Sequence, residues 1–212
     1  MKEINFIITS VIYFDDKPLI GGQPRSHFSF LERAEQTLKT INSIRQKVPR
    51  AKIILVELGL KKSLPLSLEN KVDSYLYLGE KKIIRFACDG KNKSLGEAVA
   101  LIIAKNKLPR TDFYFKISGR YFLNDNFNLS DWESDDKMLV KFYSYNFSTR
   151  LYGFSKNFLN IWFFCLLKSL PYLILGYSIE DVMYKFLKNR IKKIDTIGLS
   201  GFVAPNGTFL EE

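Results

Sequence analysis

Apolar positions in the first part of the chain alternate between consecutive runs and helical steps. Ile4, Phe6, Ile7, Ile8, Val11 and Ile12 meet no turn residue before Asp15-Asp16, which predicts a buried strand from Ile4 to Phe14. A polar loop with Pro18, Gly21, Gly22 and Pro24 follows. Ser29-Phe30-Leu31-Glu32 has the spacing of a capping box. Behind it, Phe30, Ala34, Leu38, Ile41, Ile44 and Val48 recur at three- and four-residue steps and form one helical face. Pro49 ends that helix. Ala51 to Gly59 is a second strand, whose continuous run Ile53-Ile54-Leu55-Val56 suits a parallel strand covered on both faces. Ser74–Leu78 is a short third strand. Ser94–Asn106 is a helix packing through Leu95, Ala98, Val99, Ile102 and Ile103, and Asp112–Ser118 is a fourth strand. Strand and helix alternating in this way predict an α/β fold with a mainly parallel, Rossmann-like sheet and right-handed crossovers.

The second part is less regular. Lys137–Tyr143 and Thr149–Phe154 read as strands, and a helix is expected from Ser155 to about Leu170. Ser178–Arg190 is a further helix, with Ile179, Val182, Met183, Phe186 and Leu187 inward, and the tail from Ile194 to Pro205 is β-like. The apolar stretch from Phe158 to Tyr177 is interrupted by Lys168, Ser169 and Pro171. That leaves roughly ten clean residues against the ~18–20 of a membrane span, so a buried helix broken near Pro171 is expected. No repeat or linker divides the chain, which predicts a single domain over 1–212.

Composition adds limits. With 46% hydrophobic and 25% charged residues the chain reads as globular. Cys88 and Cys165 fit no metal or redox spacing and read as structural thiols of a reducing compartment. No apolar leader precedes the first strand, so a cytoplasmic location is expected. A lone histidine, His27, argues against a histidine-rich zinc site or a Ser-His-Asp triad. The net charge of +10 suits phosphate-bearing ligands, an anionic membrane surface or nucleic acid. No nucleic-acid motif accompanies it, so no nucleic-acid partner is expected.

In such sheets ligands lie beyond the carboxyl ends of the strands, which points to Thr9, Ser10, Glu57 and Ser118-Gly119-Arg120. The segment Phe113 to Tyr121 runs an apolar strand into a small-residue turn flanked by Lys116 and Arg120. These two cations could neutralise a diphosphate, the arginine fork in bidentate fashion, or could be solvated charges beside a tight turn. Ser178 and Asp181 have capping spacing, which gives Asp181 a structural reading.

Several runs carry a resemblance. Gly21-Gly22-Gln23-Pro24-Arg25-Ser26, Glu32 to Arg45, Ile53 to Glu57, Lys93 to Ala98, Lys116 to Tyr121 and Thr149-Arg150-Leu151-Tyr152 are similar to a group of bacterial and viral glycosyltransferases. More broadly, the element order resembles GT-A glycosyltransferases. That resemblance implies a nucleotide-binding portion over 1–123 and an acceptor-side portion over 124–212. It implies nucleotide contacts from Thr9, Ser10 and Glu57, and a donor-facing loop and helix start at Lys93, Gly96 and Glu97. For Glu97 the first turn of a helix is the competing, dipole-stabilised reading. Substrate contacts from Arg25, Lys116, Ser118, Gly119, Arg120, Tyr121 and Arg150 complete the implied set. Glu180 or Asp181 would be the general base. Trp132 and Trp162 are candidates to stack on a sugar, although Trp162 also reads as core.

The chain departs from the GT-A pattern where an Asp-x-Asp metal motif would stand, and Ser118-Gly119-Arg120 occupies that place. Lys116 and Arg120 are expected to do the metal's electrostatic work. Mn²⁺ or Mg²⁺ is the alternative, with Asp125 as a carboxylate nearby. The function so implied is transfer from a nucleotide sugar to a glycan or lipid-linked glycan hydroxyl, in surface polysaccharide or lipopolysaccharide assembly, and the positive charge would suit an anionic inner leaflet. A sugar-1-phosphate nucleotidyltransferase, with Gly21-Gly22-Gln23 in its pyrophosphate loop, and a non-catalytic nucleotide- or carbohydrate-binding module are the competing readings.

Overall fold

The computed structural model describes residues 2–15, 24–90, 92–143, 145–203 and 206–212. Gly21-Gly22-Gln23 and Pro205 lie outside the described residues. In chain order the first part is β1 (Ile4–Ser10), α1 (Phe30–Lys47), β2 (Lys52–Glu57), α2 (Leu66–Glu69), β3 (Ser74–Tyr77), α3 (Lys82–Asp89), α4 (Lys93–Lys105) and β4 (Phe113–Ser118). The second part is β5 (Tyr121–Leu123), β6 (Met138–Phe142), β7 (Phe147–Ser155), α5 (Leu159–Ile174), α6 (Ile179–Leu187), β8 (Ile191–Lys193), β9 (Leu199–Phe202) and β10 (Phe209–Glu211).

Seven strands form the main sheet in the order β3-β2-β1-β4-β7-β6-β8. β7 runs antiparallel to both its neighbours, and the other pairs are parallel. A second sheet, β10-β9-β5, is antiparallel. The two faces of the main sheet have separate cores. Phe6, Ile8, Ile53, Leu55, Phe115 and Ile117 pack with α1 and the small sheet. Ile7, Ile54, Val56, Tyr114, Tyr152 and Phe154 pack with α3 to α6. Alternate side chains of one strand thus feed opposite cores, which is why β1 and β2 have no polar stripe.

Local signals account for several boundaries. The Ser29 hydroxyl accepts from the Glu32 N–H and the Glu32 carboxylate accepts from the Ser29 N–H at 2.8 Å, a complete capping box. Asn92 caps α4 and Ser178 caps α6 through side-chain oxygens.

Other expectations need correction. The first strand ends at Ser10, where pairing to β2 and β4 runs out, and not at Phe14. The helix expected from Ser155 begins at Leu159 after a short 3-10 turn over Lys156–Phe158, and it continues through Pro171 to Ile174. Pro171 removes one hydrogen bond in the last turn, on a side open to solvent, so the helix is not broken there. Nor is α5 buried all round, since Phe164 and Ile174 are exposed. Trp132 and Trp162 are both core residues, so neither is available to stack on a sugar. Trp132 packs edge-on to Phe115, and Trp162 donates its indole N–H to the Tyr152 hydroxyl at 3.0 Å.

Candidate functional site

β1 sends its connection through α1 to β2 on one side. On its other side lies β4, reached through α3 and α4. The chain therefore diverges between β1 and β4, and a crevice is left beyond their carboxyl ends. A pocket fills that crevice. Thr9, Ser10, Ser118 and Gly119 form its floor, Arg33 and Thr37 of α1 one wall, and Lys93, Gly96 and Glu97 of α4 another. Arg25, Arg85, Cys88, Asp89 and Arg120 add to the lining with Val11, Phe14, Asp15 and Leu58. The N-terminal turn of α4 adds its positive dipole end.

The floor is tight because backbones approach closely. A Cβ on Gly119 would lie 3.1 Å from Thr37 Oγ1, which donates to the Gly119 carbonyl. A Cβ on Gly96 would lie 2.7 Å from the Cys88 sulfur, so this glycine lets α4 pack on α3. Ser10 and Thr37 hydroxyls meet at 3.3 Å across the floor.

Positive charge dominates the walls. Arg33 is 9% exposed, and among the described residues no hydrogen-bond acceptor or carboxylate pairs with its guanidinium; Phe14 lies under it at 4.9 Å. Burial, and then Arg120, pull its pKa down to about 9, with buried Glu57 opposing. Lys93 is pulled down to about 8 by burial and by the neighbouring Arg120, Arg33 and Arg25. A site that depresses its own cations in this way favours an anion that would restore them. Arg25 contributes charge, but its fork is occupied by the carbonyls of Cys88, Asp89 and Gly90 at the end of α3. The pocket's acids are largely matched: Asp89 lies 3.4 Å from Arg85, and Glu97 pairs with Lys116.

The structure brings Thr9, Ser10, Arg25, Lys93, Gly96, Ser118, Gly119 and Arg120 together in one pocket. Six other candidates stand elsewhere, and so does Asp125. Lys116 is fully buried and does not line the pocket; it pairs with Glu97 and donates to Ser118 Oγ at 2.9 Å and to the Thr149 carbonyl at 2.8 Å. A lysine in mid-strand points into a core at this register, so it cannot serve as a phosphate clamp. Glu97 is thus a partner of a buried cation and not a first-turn acid of α4. Glu57 is likewise buried and turned away, accepting from the N–H groups of Ile12 at 2.9 Å and Gly59 at 2.7 Å. Burial pushes its carboxyl up, opposed by those N–H groups, Ser10 and Arg33. It braces the β1 and β2 ends instead of meeting a ribose. Tyr121 is buried in β5, and Asp125 sits at the surface 2.7 Å from Lys47.

Arg150 and Glu180 take their places from an irregularity in β7. Val140 pairs with Tyr152 but Phe142 with Phe147, so β7 bulges between those pairs. Thr149 there donates to Glu180 Oε1 at 2.7 Å, while Arg150 turns to Tyr121, Tyr143 and Glu212. Burial pushes the Glu212 carboxyl up to about 7, with Lys141 pulling against it. Asp181 accepts from Asn146 at 2.7 Å and from Ser178, contacts that hold it below the usual carboxylate range and occupy it in capping α6. Glu180 reaches the pocket only indirectly, through Thr149, Lys116 and Glu97.

Arg33 was not among the candidates from the sequence. Its signal was present: it stands beside Ala34 and four residues before Thr37, on the inward stripe of α1. A cation on a buried stripe needs a partner or a ligand.

No family model and no curated protein matches the chain. Solved structures do. An active-site variant of LgtC matches with a TM-score of 0.56 at 10% identity, over 89% of this chain and 72% of that one. The galactosyltransferase LgtC in complex with donor and acceptor sugar analogues matches at 0.56 and 10% identity, over 96% of this chain and 88% of that one. The apo form of the glycosyltransferase GlyE of Streptococcus pneumoniae matches at 0.57 and 9%, over 91% of this chain but 45% of that one. At such identities the likeness is one of fold. The chain has a GT-A glycosyltransferase fold, with its cationic pocket at the point where the main sheet's connections diverge.

Proposed function

We propose that this protein transfers a sugar from a nucleoside-diphosphate donor to a hydroxyl of a glycan acceptor. The observation that carries the reading is Arg33: a buried guanidinium with no acceptor among the described residues, facing a pocket it shares with Arg120 and Lys93. A diphosphate supplies two negative charges and several acceptor oxygens to such a group. The fold supports the same reading, as does a solved relative of that fold that holds donor and acceptor sugar analogues.

In this reading the acceptor hydroxyl forms a bond to the anomeric carbon while the bond from that carbon to the diphosphate oxygen breaks. The electron pair leaves on the nucleoside diphosphate, and Arg33, Arg120 and Lys93 stabilise that charge where it develops. The acceptor is then taken to lie between the pocket and Thr149, so that its hydroxyl proton passes to Glu180. GT-A enzymes often use a divalent ion for the leaving group. The described residues here do not fit one: they contain no cluster of three or more metal-ligating side chains, and Asp89 and Glu97 face cations. In this reading the cationic walls take that role, with Asp15 the further acid of the lining.

A thermal-shift panel of nucleoside diphosphates and nucleotide sugars tests the reading. One nucleoside diphosphate should raise the melting temperature, and the matching sugar donor should be turned over with a glycan acceptor. Binding without turnover by any acceptor would favour a nucleotide-binding module. No shift with any nucleotide would remove the proposal.

A further inference from the structure

α5 has apolar side chains on its outer side as well as its inner one, and the fold covers only part of them. Trp162, Cys165, Leu166, Ser169 and Leu173 face the core. On the opposite side Phe164, Lys168, Pro171 and Leu175, spaced by four, three and four residues, form one continuous exposed stripe. Phe164 is 57% exposed and Leu175 75%, with Ile174 and Tyr177 also open beside them. With its preceding turn, the segment Lys156–Ile174 is long and apolar enough to cross a membrane by length and composition. Its inner face, however, is fixed to the sheet, Trp162 by a hydrogen bond to Tyr152. A helix held by its own core on one side cannot be surrounded by lipid. It can lie in an interface with its other side buried.

The charge on this face selects the surface. From Lys156 to Ile179 the chain has no Asp or Glu. Lys168 stands in the stripe itself, and the Lys105 ammonium lies 5.0 Å from the ring of Phe163, next to Phe164. The stripe also ends beside the pocket. Asn92, the cap of α4, donates to the carbonyls of Leu173 at 2.7 Å and Tyr177 at 3.1 Å, and the next residue, Lys93, lines the pocket.

We infer that the outer face of α5 docks on an anionic lipid bilayer, bringing the pocket to the membrane surface. Phe164, Ile174, Leu175 and Tyr177 enter the boundary between headgroups and acyl chains, and Lys105 and Lys168 meet the lipid phosphates. An acceptor carried on lipid would then be presented next to the donor pocket. The docking surface itself stands independently of what the pocket binds.

Flotation with vesicles of phosphatidylglycerol and phosphatidylcholine, against pure phosphatidylcholine, tests the inference at low salt. The wild-type protein should float with the anionic vesicles. The exposed pair Phe164→Ser and Leu175→Ser should lower partitioning by about tenfold or more. Lys168→Glu alone should lower it by about fivefold. Thermal shifts with nucleoside diphosphate, read on the same variants, should be unchanged, which separates this result from the fate of the pocket. No flotation of the wild type, or equal flotation of the variants, would overturn the inference. So would a concentration-dependent dimer that the double variant abolishes without any vesicle binding, since a second copy would then cover the face.

Discussion

Replacing Arg33 with methionine should make the protein more stable and worse at binding its ligand. Burial and Arg120 hold the Arg33 guanidinium down to about 9, against an ordinary 12.5. At about 1.4 kcal/mol per pH unit, keeping it charged at neutral pH costs folding up to about 5 kcal/mol. Relaxation around a buried charge leaves about 1–4 kcal/mol of that as a measurable effect. The contact with Phe14 offsets about 0.5–2 kcal/mol. Arg33→Met should therefore raise the melting temperature of the ligand-free protein by a few degrees, at about 2–4 °C per kcal/mol for a chain of this size. The same change removes charge-assisted hydrogen bonds to the diphosphate. That loss should be about 2–3 kcal/mol, roughly 30- to 150-fold in Kd. Thermal melting without ligand and titration calorimetry with the nucleoside diphosphate read the two effects separately. Arg33→Lys, which keeps the charge but not the fork, should fall between. A variant that melts lower and binds as well as wild type would refute the reasoning, because Arg33 would then be a structural residue.

Further expectations concern charge and the base. Lys93, held at about 8 by burial and its arginine neighbours, is charged below that pH and neutral above it in the free protein. Donor binding should then be flat below about pH 7.5 and weaken by up to about tenfold per pH unit above 8; Lys93→Met should flatten the profile, measured with a nucleotide sugar, whose diphosphate does not titrate there. Because that pKa lies below its unfolded value, the folding cost of charged Lys93 is fully present below pH 8 and disappears as the pH rises towards 10.5. Glu180→Gln should abolish transfer and spare nucleotide binding, whereas Asp181→Asn should cost about 1 kcal/mol in α6 capping and leave turnover in place; transfer retained by the first would remove Glu180 from the mechanism. Lys116→Met should destabilise by about 3–5 kcal/mol and Lys116→Met with Glu97→Gln by clearly less, as urea melts would read; additive losses would break the assigned pairing.

Much of the fold was legible in the chain because it was set locally. Ser29 and Glu32 announce α1, and the unbroken run Ile53 to Val56 announces a strand buried on both faces. The rule that ligands gather past the strand ends then located Thr9, Ser10, Ser118, Gly119 and Arg120 in one place. What was not legible depends on distant partners. α3 was missed because only two of its eight residues are buried and Ile83 and Phe86 face outward, so its apolar pattern is not that of one covered face. The direction of β7 is decided by pairing with β4 and β6, and its bulge by register, neither of which leaves a local mark. Lys116 was read as facing a ligand, or solvent, because it flanks the small-residue turn at Ser118-Gly119. The strand's own alternation, in a sheet covered on both sides, placed it in a core and called for a carboxylate such as Glu97. Arg33 escaped because reading a helical stripe for apolar residues passes over the cation that lies on it.

The central claim is that cations of this chain hold a donor's diphosphate at the β1–β4 crevice. A crystal structure with the best-binding nucleoside diphosphate, grown in the presence of a chelator, tests it most directly. The account places the β-phosphate oxygens within hydrogen-bond distance of Arg33 and Arg120 and near Lys93. Phosphates bound elsewhere, or a nucleotide that binds only when Mn²⁺ or Mg²⁺ is restored, would contradict it.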